Sequence, residues 1–219
     1  MKSFPSTTPP VTGTRRAGPL GLVGALGAGV ALMGAAHAVL LIVYPPAVSE
    51  ASYSFPFRPS AFAVSQSVLA VRDLGLAILI ASLLWTSAAR SKVGRAGLVV
   101  GAISMLVLAG LEVVSIVAGD SADLGGWYGL ASFGVGLALT VSGVSAARRP
   151  LESPWLRFLP LVIGIYVFAV LTPGILAGFT AGQLVIGAWM LLFARLGQTL
   201  RHTATSPSRG SMPHLVTAR

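Results

Sequence analysis

Four side chains could do acid–base chemistry in places where charge is normally excluded. Arg72 and Asp73 stand side by side in the apolar run SVLAVRDLGLAILIASLL, Glu112 lies in GAISMLVLAGLEVVSIVAG, and His37 lies in GAAHAVLLIV. A charge at the centre of a bilayer costs about 2.5–3.5 kcal/mol even on lenient insertion scales. Such groups serve function by default, or they lock helices together as buried pairs. Arg72 is fixed positive and can neutralise one carboxylate, which leaves the other to meet His37, water or a proton. Burial disfavours a carboxylate anion, and a neutral carboxylic acid can give a proton or a hydrogen bond. Side chains at adjacent helical positions diverge by about 100°, so the spacing favours an inter-helix Arg72–Glu112 pair, with Asp73 as proton donor near His37. The two carboxyls could exchange these roles.

Depth supports the grouping. At about 1.5 Å per residue, His37 is about 12 Å from the end of its span, Arg72 and Asp73 about 15 Å, and Glu112 about 10 Å. All three helices present these groups toward the same side of the bilayer, which the charge pattern makes the outer half. Gln66 is seven residues from Asp73 and nearly above it. Gly101, Ser104, Leu108, Glu112 and Ser115 form one stripe, and Tyr128 shares a face with Ser132 and Thr140. Gln183 enters from the outside, and Trp189 is the one tryptophan away from a span end. The candidate catalytic residues are therefore Asp73, Glu112, Arg72 and His37; the candidate substrate-binding residues are Gln66, Tyr128, Trp189 and Gln183.

The elements that position them follow from composition. The 219 residues are 54% hydrophobic and 10% charged, against about 25% charged in soluble domains. A hydrocarbon core needs about 20 apolar residues per helix. The expectation is an all-α, polytopic six-helix transmembrane bundle with spans at about 19–44, 62–88, 96–118, 127–147, 157–173 and 177–197. Thr172-Pro173-Gly174 is read as the turn between the last two. Residues 1–18 and 198–219 are read as basic, disordered tails. With the N-terminus inside, thirteen of the fifteen basic residues fall on inner segments, as the positive-inside rule requires. Both termini are then cytoplasmic, and the location is the bacterial inner membrane. Tyr53, Phe55 and Phe57 in the long outer loop read as membrane anchors. Small residues suggest close helix packing along Gly21, Ala25 and Gly29, along Ser132, Gly136, Thr140 and Gly143, and along Gly174, Gly178 and Gly182.

Several classes are excluded. The net charge of +9 sits in tails and inner loops, so it writes topology and attracts anionic lipid rather than nucleic acid. There is no cysteine, so disulfides, thiolate chemistry and iron–sulfur clusters are out. A lone intramembrane histidine excludes bis-histidine haem, and no span holds a Schiff-base lysine. HExxH, aspartate clusters for magnesium and a Ser–His–Asp set at one depth are missing. No cofactor and no metal are expected. Arg15-Arg16 followed by an apolar run mimics a signal peptide, but the run exceeds the usual core of about 7–15 residues.

HAVLLIVYPP (37–46), SYSFPFRPSAF (52–62) and KVGRAGLVVGAISMLVLAGLEVVS (92–115) carry a resemblance to the small six-helix integral membrane proteins of actinobacterial type, over most of 19–197. That resemblance implies the six-span fold and no particular activity. A more distant likeness, in chemistry alone, is to membrane-bound terpene cyclases, whose intramembrane carboxyls protonate an alkene or epoxide; none of their residues is carried over. The leading expectation is an intramembrane enzyme that protonates an apolar isoprenoid or lipid through Asp73 or Glu112, with Tyr128 and Trp189 stabilising a cation. The alternatives are a small proton-linked exporter, which at this size would need a homodimer, and a structural subunit without a site.

Overall fold

The computed structural model describes residues 18–44, 59–86, 89–118, 124–148 and 154–205. Residues 1–17 and 206–219 of the tails and the aromatic loop residues Tyr53, Phe55 and Phe57 lie outside the described residues. The helices are α1 (Pro19–Val43), α2 (Pro59–Ser82), α3 (Lys92–Ala118), α4 (Gly125–Ala147), α5 (Pro154–Tyr166), α6 (Thr172–Leu176) and α7 (Phe179–Thr205). Among the described residues, six stretches are long and apolar enough to cross a membrane, one of them running from Trp155 to Leu176 through α5 and α6. Helices suit that setting because every backbone group is bonded within its own segment.

Neighbours in sequence are neighbours in space, and α7 closes on α1. The result is a ring in the order α1, α2, α3, α4, α5, α7. Leu76, Leu79, Ile80, Leu98, Met105, Leu139, Ile163, Met190 and Phe193 fill its middle. Leu22, Leu26, Val99, Val113, Leu137 and Leu191 face outward, as a lipid-facing surface requires. In a bilayer, apolar side chains gain little by leaving lipid, so close backbone approach must hold helices together. Glycine provides it. A Cβ on Gly24 would lie 2.6 Å from the Gly197 carbonyl oxygen, and one on Gly97 would lie 2.7 Å from the Ala138 carbonyl. Gly136 and Gly143 pack on Val167 and Leu161, as the small-residue pattern of α4 predicts. On α1 the pattern holds at Gly21, which is buried, and fails farther along the helix. Gly29 is exposed with nothing near it, and Gly24, Gly27, Ala31 and Gly34 are the buried row.

The fifth span corrects another expectation. Thr172-Pro173-Gly174 does not end the helix. A π turn at Val167–Leu171 precedes it, and Pro173 falls in the first turn of α6, where a missing N–H breaks nothing. Thr172 donates both its N–H and its Oγ1 to the Val167 carbonyl, the latter at 2.8 Å. The chain turns at Ala177–Gly178 instead, where Gly178 takes a φ of 112°, a left-handed conformation that suits glycine. At the other end of the last span, α7 continues beyond the expected 197 to Thr205.

One end of the bundle is basic. The start of α3 carries Arg90, Lys92 and Arg95, α4 ends at Arg148, α5 begins with Arg157 in its first turns, and α7 brings Arg195 and Arg201. Hydrogen bonds tie this end together: Ser91 to Ser145, and Arg157 Nε to the Ala147 carbonyl at 2.6 Å. The four candidate acid–base residues lie toward the opposite end.

Candidate functional site

The site is built where α1 and α3 end and where α2 and α4 begin. Arg72 sits on the α2 face turned to α1. Its Cδ lies over Gly34, 2.6 Å from where a Cβ would be, with the Met190 sulfur of α7 beside it. Any larger residue at 34 would occupy the channel through which the arginine stem runs. The head then turns back on its own helix. Arg72 Nε donates to Asp73 Oδ1 at 2.7 Å, and Nη2 donates to Oδ2 at 3.0 Å. Asp73 is 1% exposed. This is a two-point, charge-assisted pair of the strongest kind. The expected Arg72–Glu112 pair is therefore replaced by an Arg72–Asp73 pair. The Cβ vectors of the two residues do diverge, but a long arginine side chain folds back across that angle.

Glu112 is 4% exposed on α3, within electrostatic range of Arg72 and Asp73. Its partner is Tyr128 of α4, whose hydroxyl donates to Oε2 at 2.9 Å. Next to it, Gln66 Nε2 on α2 donates to Ser115 Oγ at 2.8 Å, and Ser115 Oγ donates to the Glu112 carbonyl at 2.7 Å. Three helices thus converge on Glu112. No cation bonds it among the described residues. Among the described residues its Oε1 takes part in no hydrogen bond, yet no buried side-chain polar atom there lacks a partner. Oε1 therefore keeps a small opening rather than being sealed in.

His37 lies on the α1 face toward α2. Its Nε2 pairs with Ser65 Oγ at 2.9 Å, not with Asp73 as expected. Outside this seam runs a shallow apolar groove of about 400 Å³, lined by Met33, Ala63, Val64, Ser67, Val68 and Val71. Ser67 turns its hydroxyl onto the Ala63 carbonyl at 2.8 Å, so the groove presents hydrocarbon. Val71 precedes Arg72 and Met33 precedes Gly34; the groove and the arginine stem are thus on adjoining faces of one seam.

The sequence places six of its eight candidate residues in this region: His37, Gln66, Arg72, Asp73, Glu112 and Tyr128. Tyr128 acts as a hydrogen-bond donor to Glu112 rather than as an open ring face. Trp189 stands apart from the cluster. It is buried against Phe193, with ring centroids 5.2 Å apart, and its Nε1 donates to the Ile163 carbonyl at 3.2 Å. With Tyr166, whose hydroxyl donates to the Val185 carbonyl at 3.1 Å, it stitches α5 to α7 where the π turn disturbs the backbone ladder. Gln183 is half-buried near the start of α7 and makes no hydrogen bond to the cluster. Sequence reasoning missed Ser65 and Gly34. Ser65 carries no signal of its own; Gly34 stands one helical turn before His37, a spacing that marks the same face. Among the described residues no group of His, Asp and Glu could hold a metal ion.

No family model matches the chain, and neither a curated protein nor a solved structure does. Its helices and its outward apolar surface decide the class. It is a multi-pass membrane protein.

Proposed function

We propose that the chain is an inner-membrane enzyme that transfers protons to and from an apolar substrate, an isoprenoid or lipid, with Glu112 as the acid. The supporting observation is the division of labour between the carboxyls. Asp73 is held at both oxygens by Arg72, whereas Glu112 has one tyrosine bond and one open oxygen. Glu112 protonates an alkene carbon, a neighbouring carbon loses a proton, and the product is an isomer of the substrate. The Glu112 carboxylate formed in the first step takes the proton back. Asp73 and Arg72 act as a fixed dipole beside the transient cation, and Tyr128 orients the acid. The apolar groove on the α1–α2 seam is a route by which a lipid-soluble substrate reaches the polar region. With the basic end cytoplasmic, as the positive-inside rule has it, the site belongs to the outer half of the bilayer.

A second reading, a small proton-linked exporter, uses the same carboxyl. It draws on the Glu112 carboxyl, an ionisable group inside a span bonded to the Tyr128 hydroxyl, the kind of group that proton pathways use. The test is solvent deuterium. Membranes holding the protein are incubated in heavy water with polyisoprenoid lipids, and carbon-bound deuterium is read by mass spectrometry. Incorporation that disappears in Glu112→Gln supports the enzyme. No incorporation from any lipid, with Glu112-dependent proton uptake into vesicles, supports the exporter and overturns the enzyme.

A further inference from the structure

The basic end holds a second feature that the proposed chemistry does not use. Arg195 of α7 lies with its guanidinium carbon 5.2 Å from the centre of the Trp155 ring of α5. Both side chains are exposed, Trp155 by 56%. The ring holds the guanidinium beside it by a cation–π contact. Arg195 makes no side-chain hydrogen bond or ion pair among the described residues, where the one ion pair is Arg72–Asp73. Five donors in a rigid fork are thus presented with no acceptor among the described residues.

Position along the helix says what the fork meets. Arg195 is sixteen residues after Phe179 (195 − 179 = 16), about 24 Å along the axis, near the far edge of a hydrocarbon core about 30 Å thick. Toward the membrane centre, the exposed face of α7 is apolar at Leu184, Ala188 and Leu191. Beyond Arg195 it is polar at Gln198, Arg201 and His202. Trp155 opens the fifth span, the level at which tryptophan prefers the headgroups. Apolar surface below, an aromatic ring at the boundary and a forked cation above it match a phospholipid: acyl chain, glycerol level and phosphate.

We propose that Arg195 and Trp155 form a binding site for the headgroup of an anionic phospholipid, with its acyl chain along Leu191 and Leu184. Guanidinium binds phosphate oxygens in a two-point fashion.

The full chain in detergent is titrated with phosphatidylglycerol and with phosphatidylcholine, and bound lipid is counted by native mass spectrometry. The wild type should prefer phosphatidylglycerol. Arg195→Gln should weaken that lipid about fivefold or more, the loss expected for one arginine–headgroup contact. Trp155→Leu should weaken it less, and Arg148→Gln, which removes an exposed charge at the same end, should leave it unchanged. Equal losses in Arg195→Gln and Arg148→Gln would overturn the site in favour of diffuse attraction. Equal binding of the two lipids by the wild type, or displacement of phosphatidylglycerol by inorganic phosphate, would also overturn it. If Arg195→Gln does not fold, Arg195→Lys gives the same comparison, because it keeps the charge and loses the fork.

Discussion

The first helix meets its two neighbours in different ways. Against α7 it sets backbone on backbone: the Gly24 and Gly197 carbonyls each lie 2.6 Å from where the other residue's Cβ would be. Against α2 it sets side chains: Arg72 over Gly34, His37 on Ser65, Val30 over Gly75 and Leu79 over Gly27. At Gly24 and Gly197 the α1–α7 seam meets backbone on backbone and has no side chain to give way. The α1–α2 seam is made of side chains that rotate, is flanked by a groove, and contains the charged pair. Close packing in a membrane thus yields two kinds of interface: one that fixes the bundle, and one that holds polar groups where a substrate or proton could reach them.

Substitutions that separate the two seams should differ in size. The largest effect is expected from Gly197→Leu, which drives a branched side chain into the α1 backbone. Stability in detergent should fall by about 3 kcal/mol or more, and the same change at exposed Gly29 should do nothing measurable. Asp73→Asn is expected to be of the same order. It leaves Arg72 buried without a counter-charge, which costs about 3–5 kcal/mol. The paired change Arg72→Met with Asp73→Leu should recover most of that loss in thermal unfolding, because both charges are then gone. Gly34→Ala should cost only about 1 kcal/mol, since the atoms it meets are the ends of Arg72 and Met190, which can shift. His37→Ala is the smallest. It removes one bond to Ser65, worth about 0.6 kcal/mol on average between membrane helices. A loss for Gly34→Ala as large as for Gly197→Leu would erase the distinction between the seams.

The helices were legible because twenty-residue apolar runs have few other uses, and the level of the charged groups was legible because rise per residue is fixed. Partner choice was not. Arg72 and Asp73 share one turn, and nothing in the spacing says whether a flexible arginine reaches across to α3 or curls back. Pro173-Gly174 looked like a turn because a proline inside a helix breaks the ladder. A π turn upstream, unmarked in sequence, moves that proline to a harmless position. The packing face of α1 was misplaced beyond Gly21 because the helix is apolar all round, so glycine spacing alone offers two rows, Gly21–Ala25–Gly29 and Gly24–Gly27–Gly34. Only the neighbours select between them. Trp189 stood out as a tryptophan in mid-span, and its indole donates to a backbone carbonyl instead.

The account rests on Glu112 being the carboxyl that exchanges a proton, while both oxygens of Asp73 are engaged by Arg72. Infrared difference spectroscopy of the protein in bilayers, stepped in pH, reads this directly from the C=O stretch of protonated carboxyls. The predicted result is a pH-dependent band in the wild type that persists in Asp73→Asn and vanishes in Glu112→Gln. A band that vanishes in Asp73→Asn and survives in Glu112→Gln would contradict it.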